Sequence, residues 1–130
     1  MVVDTDRGVV ALDESLNFGT SLPEFQSPHG FLENPDPRIK HSSPLMWVQA
    51  LDLLLERIKA KGFPLGQVAG ISGAGQQHGS VYLRSPVAGV GGWTKDRSLR
   101  EQVQPLLSRS TSPIWMDSST TAECRELAEA

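Results

Sequence analysis

The chain reads as an α/β unit with at least one antiparallel strand pair. Three features predict this. A Gly-centred turn near the start is followed by alternating apolar residues. A long apolar stripe at helical spacing occupies residues 43–61. Two short apolar runs flank a Gly-rich turn at residues 73–79.

Each element has its own signal. Residues 2–18 carry the pattern of a β-hairpin. Asp6, Arg7 and Gly8 form its turn, where Gly8 supplies a positive φ, and Val10, Leu12, Leu16 and Phe18 alternate after it. Residues 19–43 hold four prolines (Pro23, Pro28, Pro35, Pro37) and no periodic pattern. So long a loop in a compact domain is usually functional or disordered, and this one is expected to pack against something outside the chain or to be mobile. Residues 43–61 are the clearest helix. Ser43 is a natural N-cap and Pro44 suits the first helical position. Met46, Ala50, Leu54 and Ile58 recur at spacings of four, with Trp47, Leu51 and Leu55 beside them, in one broad apolar stripe. Gly62 and Pro64 end it.

Beyond the helix, residues 67–72 read as a buried strand and residues 81–83 as another, joined by the Gly-rich turn. Residues 85–110 are a weak region of glycine and polar residues. Residues 113–115 suit a short strand. Residues 118–130 read as a helix, with Thr120 and Glu123 at capping-box spacing. A hairpin starting on the first residue and a helix running to the last make both ends look cut.

Composition narrows the function classes. The 130 residues make one domain. A net charge of −3, with acids and bases mixed, leaves no electrostatic footprint for nucleic acid. The basic cluster at residues 38–41 is short and reads as a solvated loop. The single cysteine, Cys124, excludes an internal disulfide. Its helix-forming neighbours suggest a small packed side chain. No apolar run is long enough to span a membrane. The first residues carry acids at once, unlike a signal peptide, so a soluble cytoplasmic protein is expected. His29, His41, His78 and Cys124 lack metal-ligand spacing.

The chemistry-bearing segment is Gly70-Ile71-Ser72-Gly73-Ala74-Gly75-Gln76-Gln77-His78-Gly79-Ser80. Its glycines let the backbone turn sharply and approach a ligand. Amide, imidazole and hydroxyl groups converge at the end of an apolar strand, which suits a polyhydroxylated substrate. A dinucleotide fingerprint is absent, since the spacing is G-x-G-x-x-x-G and the residues after it read as strand. A G-K-[ST] phosphate loop is absent too. From the residues alone His78 reads either as a turn histidine bonded locally or as a ligand contact, and both stay open. Trp115 reads as core packing or substrate contact. Asp117 reads first as a helix-start carboxylate facing the positive helix end.

The segment from Ser72 to Ser80 resembles the sugar-contacting turn of the xylulokinases, in the FGGY carbohydrate kinase family. The alanine-containing form is similar to the eukaryotic type. Three further segments agree in order and spacing: Leu22-Pro23-Glu24-Phe25, the run from Ser43 to Asp52, and the run from Ile114 to Thr121. Residues 26–42 and 84–110 carry little resemblance.

The resemblance implies an α/β fold: a ribonuclease-H-like, actin-like two-domain kinase with its substrates in the cleft between domains. It implies transfer of the ATP γ-phosphoryl group to the 5-hydroxyl of D-xylulose, with Mg²⁺. His78 would hydrogen-bond the sugar and Gln77 would shape the same turn. Trp115 and Asp117 match a W-x-D segment near the sugar pocket. Residues 1–130 would be part of the N-terminal domain. They would lack its first strand with the phosphate loop, the catalytic-base segment and the whole C-terminal domain. The expectation is therefore a part of a sugar kinase, inactive alone, carrying no catalytic or metal-binding residue itself. The alternative is a non-catalytic sugar-kinase-like binding or interaction protein. A small oxidoreductase is disfavoured by the missing fingerprint.

Overall fold

The computed structural model describes residues 1–75, 78–84 and 92–130. Their element order is β1 (Val2–Asp4), β2 (Val9–Leu12), α1 (Phe18–Ser21), β3 (His41–Ser42), α2 (Pro44–Ala60), α3 (Leu99–Val103), β4 (Ser112–Pro113) and α4 (Thr121–Glu129). Helix and strand are mixed. The strands form two two-stranded antiparallel sheets, β1–β2 and β3–β4.

The β1–β2 hairpin forms as its sequence requires. Gly8 has φ +65°, and its N–H donates to Asp4 O at 2.8 Å, closing the turn. The Asp4 carboxylate accepts from the Asp6 and Arg7 N–H groups, a local bond typical of aspartate in turns. The alternating run stops sooner than its pattern suggests. β2 ends at Leu12, and Phe18 opens α1 under an Asn17 cap whose Oδ1 accepts from Thr20 N–H at 3.2 Å.

Helix α2 starts at Pro44 behind Ser43. Ser43 has extended backbone but makes no side-chain cap bond. Lys61 and Gly62 close its end, with Gly62 at φ +79°. The buried face is narrower than the sequence stripe. Met46 (0% exposed) and Ala50 are buried, Trp47 and Leu53 pack beside them, and Leu51 lies on the exposed side.

Part of the proline-rich loop packs against this face. Leu22 is buried on Met46 and Ala50, and Leu16, Phe18 and Phe25 pack around them. Two apolar groups of the loop, Leu22 and Phe25, thus give it an anchor that periodicity does not reveal. Gly19 permits the closest approach: a Cβ there would lie 3.0 Å from Pro28 Cα.

The strand expected at residues 67–72 does not form. Leu65–Gln67 is a turn of 3₁₀ helix, and residues 68–75 are exposed and outside any ladder of the described residues. A strand needs a hydrogen-bonded neighbour, and no described segment supplies one here. Ile71, 83% exposed, projects its side chain into solvent. Residues 81–83 fare better. Leu83 bridges Leu107, Arg84 N–H donates to Leu106 O at 2.9 Å, and Ser108 N–H donates to Tyr82 O at 2.9 Å.

Three further expectations are corrected. Residues 85–110 include a genuine helix, α3, begun by a full capping box. Ser98 Oγ accepts from Glu101 N–H, and Glu101 Oε2 accepts from Ser98 N–H. Arg100 ties α3 to the core, with its guanidinium 5.4 Å from the Phe25 ring centre. Helix α4 forms at residues near those expected, but Thr120 makes no side-chain cap bond. Cys124 on it is exposed, not packed, because no described element covers that helix.

Candidate functional site

An open cleft of about 810 Å³ lies between the proline-rich loop, the start of α2, the Gly-rich turn and the segment after β4. Its walls include Phe18, His29, Trp47, Gly75, Gly79 and Trp115. Two segments singled out in the sequence thus meet at one place. The turn contributes Ala74, Gly75 and Gly79, and the later segment contributes Ile114, Trp115 and Met116. The backbone joins them directly, since Ser80 N–H donates to Pro113 O at 3.3 Å.

His78 stands immediately before Gly79. It is exposed and has φ +66°, a left-handed conformation that costs a non-glycine residue about 1 kcal/mol or more. Its neighbour Gln77, expected to shape the same turn, lies outside the described residues. Trp115 is 55% exposed on the cleft wall, so core packing does not account for it.

Asp117 is placed differently. Its side chain is only 7% exposed, and its carboxylate is fully engaged by neighbours. Oδ2 accepts from Lys40 N–H at 2.8 Å, and Oδ1 accepts from Ser119 N–H at 3.1 Å and from Ser119 Oγ–H at 2.7 Å. His41 Nε2 faces Oδ2 at 3.4 Å. Burial pushes this carboxyl up. The bonds from the Ser119 hydroxyl, Lys40 N–H and Ser119 N–H, together with His41, outweigh burial and hold it below the usual carboxylate range.

The helix-dipole reading of Asp117 does not describe this geometry. α4 begins four residues later, and the carboxylate serves the junction between β3 and β4. Ile114 N–H donates to Lys40 O, and Ser118 N–H donates to Arg38 O, both at 3.0 Å. With Lys40 N–H on Asp117, the segment carrying Trp115 is fastened to residues 38–41.

Sequence reasoning overlooked two cleft residues. Trp47 is assigned to the core by its helical spacing, and it packs there, but it also lines the cleft. His29 sits in the loop beside Gly30, whose φ of +85° turns the chain at the cleft wall. The Pro28-His29-Gly30 run was the available signal, a turn holding a polar aromatic side chain in a loop too long to be mere connection.

In polar chemistry the cleft is modest. Aromatic faces, an imidazole and glycine backbone suit a small neutral, hydroxylated ligand. Among the described residues, no group of three or more His, Cys, Asp or Glu side chains converges as a metal site. No described helix is long and apolar enough to cross a membrane.

No family model matches the chain. Individual relatives do. Xylulose kinase of Rattus norvegicus is 44% identical over 131 residues, covering 100% of this chain and 24% of its own length. Xylulose kinase 2 of Arabidopsis thaliana is 37% identical over 131 residues, 99% of this chain and 23% of the relative. Probable D-xylulose kinase A of Arthroderma otae is 40% identical over 127 residues, 97% of this chain and 22% of the relative. The chain therefore spans about a quarter of the length of the curated relatives it matches.

Proposed function

Since the chain is, over its whole length, a homologue of about a quarter of a xylulose kinase, we propose that it forms the sugar-facing part of a cytoplasmic xylulokinase-type enzyme. The reaction is transfer of the ATP γ-phosphoryl group to the 5-hydroxyl of D-xylulose. The fold proposed for the complete unit is the ribonuclease-H-like N-terminal domain of a two-domain sugar kinase, of which residues 1–130 form part.

One observation carries the reading: the Gly-rich turn and Trp115, distant in sequence, line one cleft. Neutral imidazole offers one donor and one acceptor, which matches a sugar hydroxyl that does both. An indole face packs against the apolar C–H face of a sugar while leaving its hydroxyls free. His78, next to the cleft-lining Gly79, and Trp115 are the proposed substrate contacts, with Gln77 proposed to shape the Gly-rich turn. Asp117 is proposed to act near the sugar pocket by fixing the Trp115 segment, since its carboxylate oxygens are already occupied.

Phosphoryl transfer is largely positioning and neutralisation of phosphate charge. The described residues offer no Mg²⁺ cluster, and the sequence has no G-K-[ST] loop. The described residues do not fit ATP with Mg²⁺, so no step is assigned to them. What this part contributes is the acceptor end: it holds the sugar and presents a hydroxyl.

The reading is tested in a chimera, with this chain replacing the matched residues of the rat xylulose kinase. There, His78→Ala is expected to weaken D-xylulose use roughly ten- to a hundred-fold, the cost of one unpaired hydroxyl. Apparent ATP affinity stays unchanged. His78→Gln loses less, because an amide keeps a donor and an acceptor. Steady-state kinetics against both substrates decide it, and unchanged sugar kinetics in a folded His78→Ala chimera return His78 to a local turn role.

A further inference from the structure

The loop that carries Trp115 is closed at its base by one imidazole. His41 Nδ1 lies 3.2 Å from Thr111 Oγ1, the residue just before β4. His41 Nε2 lies 3.4 Å from Asp117 Oδ2, at the end of the loop. The backbone of His41 pairs with Pro113 in the β3–β4 ladder, so the ring is held at this spot by register. Asp117 closes its own turn, its N–H donating to Ile114 O at 2.9 Å. Trp115 sits inside that turn, on the cleft wall.

From this geometry we propose that His41 is a positioning residue, spanning Thr111 and Asp117 so that Trp115 is held against the cleft. The roles follow from donor and acceptor chemistry. An ionised carboxylate only accepts, so Nε2–H faces Asp117. In the neutral ring Nδ1 then accepts from the Thr111 hydroxyl. His41 is not among the residues lining the cleft. It acts on ligand binding through Trp115, and that bearing on sugar rests on the function proposed above. The staple itself does not.

The test is amide hydrogen exchange on the full chain at neutral pH, combined with ¹⁹F NMR of chain labelled with 5-fluorotryptophan. In His41→Ala, exchange at residues 114–119 rises about tenfold or more, while α2 stays within twofold of the parent chain. The Trp115 resonance broadens or shifts and the Trp47 resonance does not. His41→Gln, whose amide can donate to Asp117, keeps exchange within about threefold of the parent. Thr111→Val, which cuts only the outer contact, falls between. Unaltered exchange at residues 114–119, or an equal rise in α2, overturns the proposal. Should His41→Ala not fold, the Thr111→Val and His41→Gln pair makes the same comparison. Neither readout needs sugar, so failure of the sugar-site reading cannot pass for failure of this one.

Discussion

Met46→Ala destabilises the fold by about 2–5 kcal/mol, the range for truncating a buried methionine. Met46 is 0% exposed and joins Leu22 from the proline-rich loop to Ala50 on α2. Few other side chains share that work. The buried apolar residues are Leu22, Met46, Ala50, Leu107 and Ile114 among those described, so one cavity removes much of the core. The effect reaches the cleft, because Phe18 and Trp47 pack on this cluster and also line the cleft. Urea unfolding followed by circular dichroism is the check, with Leu51→Ala on the exposed side of α2 as control. The control is expected to change stability by under about 1 kcal/mol, as surface substitutions do. Equal effects of the two substitutions would contradict the assignment of this core.

Asp117→Ala is expected to cost a comparable amount, about 2–4 kcal/mol. It strips the acceptor from Lys40 N–H and Ser119 N–H, and a buried donor left unpaired costs about 1–3 kcal/mol. The pH dependence has a definite sign. The folded carboxyl lies below its unfolded value of about 3.9. Its contribution is therefore full above about pH 4 and is lost as pH falls through the lower folded value. Asp117→Asn is expected to be less stable than the parent at pH 7 and to lose less stability between about pH 4 and pH 2. The slope does not vanish. A side-chain bond from Arg38 lowers Asp36 to about 2, and Glu14 beside Lys61 and Glu101 beside Ser98 are lowered as well. Urea midpoints across this pH range decide it. Parallel curves for Asp117→Asn and parent would remove Asp117 from the acid transition.

What was legible in the sequence was local. Gly8 marks the hairpin turn, and Pro44 and Gly62 bracket α2, because a turn or helix end is set by a few adjacent residues. The run at residues 67–72 has an apolar strand pattern but no described ladder. Strand pairing depends on a distant partner, which local pattern cannot supply. Ser98 and Glu101 carry capping-box spacing in the sequence, but the polar and glycine residues around them mask the short helix they open. At the site, the Gly-rich turn and Trp115 stood out as motifs. Trp47 and His29 did not, since membership of a cleft follows from tertiary packing. His41 escaped for the same reason: Asp117 and Thr111 come to its ring only through the β3–β4 pairing.

The most direct measurement is the activity of the unsubstituted chimera, in which these 130 residues replace the matched part of the rat xylulose kinase. ATP-dependent phosphorylation of D-xylulose, read by a coupled assay, is expected within about tenfold of the rat enzyme's kcat/KM, a loss of about 1.4 kcal/mol in transition-state stabilisation. A chimera that folds and binds ATP yet shows no turnover of D-xylulose would contradict the assignment of this chain to the sugar end of the site.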